Sequence, residues 1–217
     1  NELDITNEDL VKNYFQDKTF DFVVNCAAYT AVDKAEDHPD DAFLVNAKAT
    51  EFLAKATNEH NIPFIHISTD YVFDGKDSKP RIETDETNPI GVYGQTKLDG
   101  EKLASENNFR TIIIRTAWVY SRFGNNFVKT MLKLFKERDS LGVVNDQIGS
   151  PTNAINLADA ILTIVMKDES IFGIYNYSNE GECSWFDFAN KIKEFSGLSV
   201  QINPVDSAAF PTKAKRP

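Results

Sequence analysis

Tyr93 and Lys97 stand four residues apart in Tyr93-Gly-Gln-Thr-Lys97, a spacing that on a helix puts a phenol and an ammonium on one face. A free tyrosine titrates near pH ~10, and an adjacent cation favours the phenolate. Such a phenol can give a proton to a developing alkoxide, or take one, closer to neutral pH. Lys97 would also be free to bind a ribose hydroxyl. The spacing alone is common, since chance supplies about half a match in a chain of this composition, and Tyr14 and Lys18 repeat it. That second pair reads as an exposed helix pair. Context separates them: the apolar run Ile62 to Ile67 ends in Ser68-Thr69-Asp70 before the polar stretch that leads to Tyr93, and ligands of open parallel sheets collect at such strand ends. A hydroxyl at Thr69 could hydrogen-bond a carbonyl oxygen and stabilise the charge that grows on it during reduction; an ordinary Ser/Thr turn is the competing use.

Asn25-Cys-Ala-Ala-Tyr29 also closes a strand-like run, and its small residues would let backbone approach a flat ligand such as a nucleotide cofactor, or simply allow tight strand-to-helix packing. Trp118 is a candidate wall for a flat or sugar-like ligand, with core packing the commoner fate of a tryptophan. Arg115 in an apolar strand predicts a carboxylate partner, and Asn145-Asp-Gln-Ile-Gly-Ser-Pro151 reads as a binding loop. Asp33, Lys34 and Glu36 read as a solvated face. His38, His60 and His66 share no metal-ligand spacing, so no metal is expected.

Apolar strand-like runs alternate with helical patterns, which predicts the α/β class with a doubly wound parallel sheet. Asn7 is placed to cap a helix through about Phe15. Phe20 to Ala28 reads as a strand buried on both faces, Asp40 to His60 as one amphipathic helix, and Ile62 to Ile67 as the next strand. Gly75 to Pro89 is a polar loop, Val92 to about Asn107 a helix, Thr111 to Val119 a strand, and Asn126 to Arg138 a helix. The pattern then loosens: Leu141 to Val144 extended, Asn156 to Met166 helical, Ile174 to Tyr177 extended, and Ser184 to Phe195 helical behind a serine cap. We therefore expect a cofactor-type domain over 1–140 and a smaller α/β lobe mainly over 141–217, with elements crossing between them.

With 217 residues, 41% hydrophobic and 26% charged, the chain has average globular usage and can bury a sizeable core. A net charge of −10 argues against nucleic acid, whose phosphates call for a basic face. Two cysteines, Cys26 and Cys183, form no framework and suit a reducing cytoplasm; both read as buried small hydrophobes. No apolar stretch reaches the roughly 20 residues that cross a bilayer, so no membrane partner is expected.

In combination these segments are highly specific. Asn25-Cys-Ala-Ala-Tyr-Thr-Ala-Val-Asp-Lys-Ala-Glu36, Ser68-Thr-Asp-Tyr-Val-Phe-Asp-Gly75, Asn88-Pro-Ile-Gly-Val-Tyr-Gly-Gln-Thr-Lys97, Arg115-Thr-Ala-Trp-Val-Tyr120, Gly124-Asn-Asn-Phe-Val-Lys-Thr-Met131 and Asn145-Asp-Gln-Ile-Gly-Ser-Pro-Thr152 together resemble the dTDP-4-dehydrorhamnose reductases of the extended short-chain dehydrogenase/reductase superfamily. The resemblance runs over essentially the whole chain. It implies a Rossmann-like sheet with a C-terminal substrate-binding lobe, and reduction of the keto group of a dTDP-sugar by NADPH or NADH. Tyr93 would be the proton donor, Lys97 its electrostatic partner and ribose ligand, and Thr69 the partner of the keto oxygen. Thr69, Asp70 and Trp118 would meet substrate; Asp4 and Ile5 would lie by the adenine, and Ala27, Ala28 and Tyr29 would line the cofactor site. The resemblance also allows a homodimer.

The family's first strand and glycine-rich turn, which seat a pyrophosphate, have no counterpart here, since the first glycine is Gly75. About 35 residues of such a unit are therefore expected upstream, and the family continues beyond Lys215-Arg-Pro217, so this stretch alone is expected to bind cofactor poorly. Two alternatives carry weight: a non-catalytic relative like the regulatory subunit of methionine adenosyltransferase, and a sugar-nucleotide epimerase.

Overall fold

The structure is a computed structural model and describes residues 3–77, 79–167 and 171–217; Ser78, within the polar loop 75–89, lies outside them. The chain forms two compact units. The first comprises residues 1–115, 168–176 and 212–217, the second residues 116–167 and 177–211.

In the first unit, helix α1 (Glu8–Gln16) begins where Asn7 accepts the Leu10 N–H at 3.1 Å, satisfying one of the free amides of the first turn. Short strand β1 (Val23–Asn25) follows, then α2 (Val32–Ala35) and α3 (Pro39–Phe43). A π-helical turn, Leu44–Lys48, leads into α4 (Ala49–Glu59). Strand β2 (Phe64–Thr69) comes next and passes directly into a 3₁₀ turn at Asp70–Val72. Helix α5 (Val92–Asn107) and strand β3 (Thr111–Thr116) complete the consecutive part, and β8 (Gly173–Asn176) joins from later in the chain. The sheet order is β1-β2-β3-β8, with β1/β2 and β3/β8 parallel. Every residue of β3 is buried, as a strand covered on both faces requires. Val11 and Phe15 of α1 meet Leu53, Ala54 and Ala56 of α4, Phe64 of β2 and Ala104 of α5 in one core cluster.

Two sequence expectations change here. The run Phe20 to Ala28 forms a strand only over Val23–Asn25, because the chain opens beyond Asn25 and leaves Cys26 exposed. The helix from Asp40 to His60 is interrupted by the π turn, which brings Asn46 fully inside.

The second unit holds β4 (Val119–Tyr120), α6 (Phe127–Glu137), β5 (Ser140–Val144), β6 (Ile148–Gly149), β7 (Thr152–Asn153) and α7 (Ala154–Lys167). It adds β9 (Cys183–Ser184), α8 (Trp185–Ser196) and β10 (Gln201–Val205). Strands β5 and β10 pair in parallel, and α6 and α8 bury Met131, Phe135, Ala189 and Ile192 with Leu141, Val143 and Val200. The serine cap of α8 is a full capping box: Ser184 and Asp187 each satisfy the other's backbone N–H. The strand expected from Thr111 to Val119 stops at Thr116 because Trp118 takes φ +47°, a left-handed conformation that no extended strand can hold. Cys183 is half-buried, so neither cysteine is the buried hydrophobe its neighbours suggest.

Among the described residues no helix is long and apolar enough to cross a membrane.

Candidate active site

Helix α5 carries Tyr93 and Lys97, and its position is set by contacts that the backbone itself makes. A β-carbon at Gly94 would lie 2.2 Å from the Tyr71 carbonyl oxygen, and one at Gly100 would lie 2.2 Å from that of Asn46. Only glycine permits either approach. At the helix start Gly91 has no side chain to cap with, and the Glu36 carboxylate instead accepts the Val92 N–H at 2.8 Å. Glu36 is thus a helix cap rather than part of a solvated face. Further along, Glu101 forms a buried two-pronged pair with Arg115 of β3, at 2.7 Å to Nη2 and 3.0 Å to Nε, and accepts from Ser68 Oγ at 2.5 Å. The carboxylate expected for Arg115 is Glu101, and the pair ties α5 to the ends of β2 and β3.

These constraints bring Tyr93 to the end of β2. Burial pushes its pKa up to about 12, the charge of Asp70 adds to that rise, and the nearby Thr69 side chain acts the other way. Thr69 also donates to Asp70 Oδ1 at 3.0 Å and accepts from the Tyr71 N–H at 3.2 Å. The atoms packed around the Asp70 carboxyl raise its pKa to about 6, with hydrogen bonds from Thr69 and the backbone acting the other way. Tyr71 meets Tyr93 edge to face.

Lys97 is almost fully buried, 1% exposed, and donates to the Ile67 carbonyl at 2.7 Å with Nζ 3.3 Å from His66 Nε2. Burial lowers its pKa to about 8, against the opposing pull of Glu101 and Cys26. The partnership drawn from the spacing is therefore corrected in one respect. Lys97 turns toward the β2 backbone, and Tyr93 binds its proton more tightly than a free tyrosine does, because burial outweighs any nearby cation. At neutral pH the phenol is protonated, the form a proton donor needs.

The end of β1 adjoins this group through its register with β2, Asn25 opposite His66. Asn25 Oδ1 accepts the Ala27 N–H at 3.1 Å. Asn46, from the π turn, accepts the Tyr29 N–H at 2.8 Å and donates to Thr96 Oγ1 on α5 at 3.0 Å, so one amide holds the strand end against the helix. Cys26 and Ala27 are exposed, and Ala28 and Tyr29 half-buried. Small exposed residues at a parallel strand end, close enough to Lys97 for its charge to act on Cys26, fit a flat nucleotide such as a nicotinamide cofactor. The roles of Asn46, Asn25 and His66 escape a reading by residue type; the signal that could have found them is a polar side chain inside an otherwise apolar run.

The remaining expected site residues have local partners of their own. Asp4 accepts from the N–H and Oγ1 of Thr6 at 3.0 and 2.7 Å, and Ile5 packs on the core cluster beneath α1. Trp118 belongs to the second unit, where its ring stacks on Trp185 with centroids 3.4 Å apart, and a β-carbon at Gly149 would lie 2.5 Å from it. The 145–151 loop supports this pair, since Gln147 accepts from Trp185 Nε1 at 3.2 Å and Asn145 from Ser184 Oγ at 2.9 Å. Tyr14 and Lys18 form a cation–π contact, Nζ 3.3 Å from the ring centroid. Among the described residues no group of three or more His, Cys, Asp and Glu side chains is arranged to hold a metal ion.

The chain is similar to known proteins over nearly its whole length. A dTDP-4-dehydrorhamnose reductase of Sinorhizobium fredii is 42% identical over 223 residues, covering 99% of this chain and 75% of that protein. The enzyme of the same name from Escherichia coli K12 is 46% identical over 206 residues, 91% of this chain and 69% of the relative. The crystal structure of the Bacillus anthracis dTDP-4-dehydrorhamnose reductase in complex with NADP superimposes with a TM-score of 0.96 at 41% identity, covering 99% of this chain and 76% of that one. The model of the RmlD substrate binding domain matches residues 1–217, and the chain belongs to that family.

Proposed function

We propose that this chain carries the proton-transfer part of an NAD(P)H-dependent reductase that converts the 4-keto group of dTDP-4-dehydro-L-rhamnose to the alcohol of dTDP-L-rhamnose. The observation that carries the reading is the placement of Tyr93 at the end of β2, edge to face with Tyr71 and near enough to Thr69 and Asp70 for both to act on its phenol, one helical turn before the buried Lys97. The names of the relatives, and the NADP in one of them, favour a reductase over an epimerase or a non-catalytic binding protein.

In this reading Thr69 turns its hydroxyl from Asp70 to the keto oxygen and stabilises the charge that develops there. Tyr93, kept protonated by burial, gives its phenolic proton to that oxygen. A bound reduced nicotinamide supplies the hydride. Lys97 offers its Nζ to a ribose hydroxyl, and Cys26 to Tyr29 line the flat part of the cofactor site. Asp70 borders the sugar, and Trp118 offers an aromatic face in the second unit. Asp4 and Ile5 are the adenine contacts the resemblance assigns. We also place the protein in the cytoplasm, consistent with its two free cysteines.

The reading is tested with Tyr93→Phe in the protein that contains this chain, by following NADPH absorbance with dTDP-4-dehydrorhamnose. Loss of at least ~10²-fold in turnover with an unchanged fold is expected. Turnover like that of the parent would refute it.

A further inference from the structure

His66 lies at the centre of β2, fully buried, between two groups that fix what each of its ring nitrogens must do. On the Nδ1 side stands the Asn25 amide, whose orientation is settled by its other contacts. Oδ1 accepts the Ala27 N–H at 3.1 Å, so the nitrogen Nδ2 points the other way. One of its protons goes to Thr50 Oγ1 at 3.3 Å, an oxygen whose own proton goes to the Asn46 carbonyl at 2.9 Å. The remaining proton faces His66 Nδ1 at 3.2 Å. Nδ1 must then be an acceptor, and a neutral imidazole must carry its single proton on Nε2.

That proton points at Lys97 Nζ, 3.3 Å away. An ammonium at Lys97 would set N–H against N–H across this gap. A neutral amine has one lone pair to accept from His66 and a proton to donate to the Ile67 carbonyl at 2.7 Å, and so satisfies both contacts. We propose that His66, locked in its Nε2–H tautomer by Asn25, is a positioning residue that favours the neutral amine of Lys97 and thereby sets the pH at which this lysine loses its charge. The proposal rests on the assignment of Tyr93 and Lys97 to the reaction. Burial acts in the same direction on both groups, lowering the proton affinity of Lys97 and of His66 itself. The other ionisable groups that face Lys97 are Glu101, already paired with Arg115, and Cys26 at the end of β1, both of which favour the ammonium. Tyr93 stands one turn away on the same helix. His66 is thus the neighbour whose hydrogen bond opposes them.

The tautomer is read directly by ¹⁵N NMR of the histidine rings in the protein containing this chain, without cofactor or substrate, using His66→Gln to assign the signal. Protonated Nε2 with unprotonated Nδ1 from pH 6 to 9 is expected; an Nδ1–H or doubly protonated ring overturns the proposal. The second measurement is the titration of the Lys97 ε-methylene ¹³C shift. His66→Gln can present its amide oxygen to the ammonium, so the midpoint should rise by on the order of one pH unit, and the alkaline limb of the pH–rate profile should move up with it. A midpoint that stays or falls in a folded variant counts against the proposal. Should His66→Gln fail to fold, Asn25→Asp, whose carboxylate accepts from Nδ1–H, is expected to flip the tautomer and raise the midpoint; an unflipped ring overturns the proposal. Activity retained in Tyr93→Phe would instead remove the catalytic reading and leave the tautomer result standing.

Discussion

Tyr71 meets Tyr93 edge to face, with ring centroids 5.3 Å apart and planes inclined at 77°. The contact joins the 3₁₀ turn after β2 to the first turn of α5, so each ring helps to shield the other from water, and both phenols are pushed up to about 12 by burial. Tyr71→Ala should therefore lower the pKa of Tyr93 as water reaches it. It should also cost about 1 kcal/mol of stability for the aromatic pair. Spectrophotometric titration of phenolate, compared between Tyr71→Ala and Tyr71→Ala/Tyr93→Phe, isolates the Tyr93 signal; an unchanged midpoint would count against mutual shielding.

Asp70 supplies a pH dependence with a definite sign. Its pKa in the folded chain, about 6, lies above the ordinary 3.8. Its contribution to stability is therefore complete below about pH 4 and is lost as pH rises through 6. A rise of that size corresponds to at most about 3 kcal/mol, and partial exposure reduces this to on the order of 1–2 kcal/mol. Asp70→Asn should stabilise the protein by that amount at pH 7.5 and hardly at all at pH 4. Denaturant melts at the two pH values check it, and an equal effect at both would be inconsistent with burial of the charge.

The Glu101–Arg115 pair is buried on both sides, with side chains 3% and 4% exposed. Removing one partner leaves an uncompensated charge, so Arg115→Met should cost about 3–5 kcal/mol. Glu101→Leu together with Arg115→Met should cost much less than the sum of the single changes. Chemical denaturation of the three variants gives the comparison; additive losses would mean that the two groups act independently.

Glu36 caps helix α5 from a distance in sequence, through the Val92 N–H. Glu36→Ala should cost about 1 kcal/mol, with Glu36→Gln restoring much of it because an amide oxygen still accepts. Hydrogen exchange at Val92 should quicken in the alanine variant alone. Equal exchange in both variants would show that charge, rather than acceptance, is what matters.

The helix bearing Tyr93 and Lys97 is legible in the sequence almost to the residue, Val92 to Asn107, because its pattern is long and starts after a glycine. The caps at Asn7 and Ser184 are legible for the same local reason, since a side chain of the right type stands at the boundary. Strand β10, Gln201–Val205, is not, because Gln201, Asn203 and Pro204 interrupt its apolar residues and its identity comes from pairing with β5, far earlier in the chain. The π turn likewise has no sequence period of its own; it exists because Asn46 must reach Tyr29 and Thr96 together. Glu36 has the look of one more surface acid, since nothing in a local reading connects it with residue 92. Spacing and residue type single out Tyr93, Lys97 and Thr69, whereas the direction in which the Tyr93 pKa moves depends on a burial that spacing does not reveal.

Gly94 and Gly100 act like two notches on a key. With the carbonyls of Tyr71 and Asn46 seated over them, helix α5 has one permitted depth and one permitted rotation. A library that randomises residues 92–107 and selects for a folded protein should return glycine at 94 and 100, because a β-carbon at either would strike those carbonyls. Sequence change within this fold would accordingly run through positions outside this seam, while the helix keeps its seat.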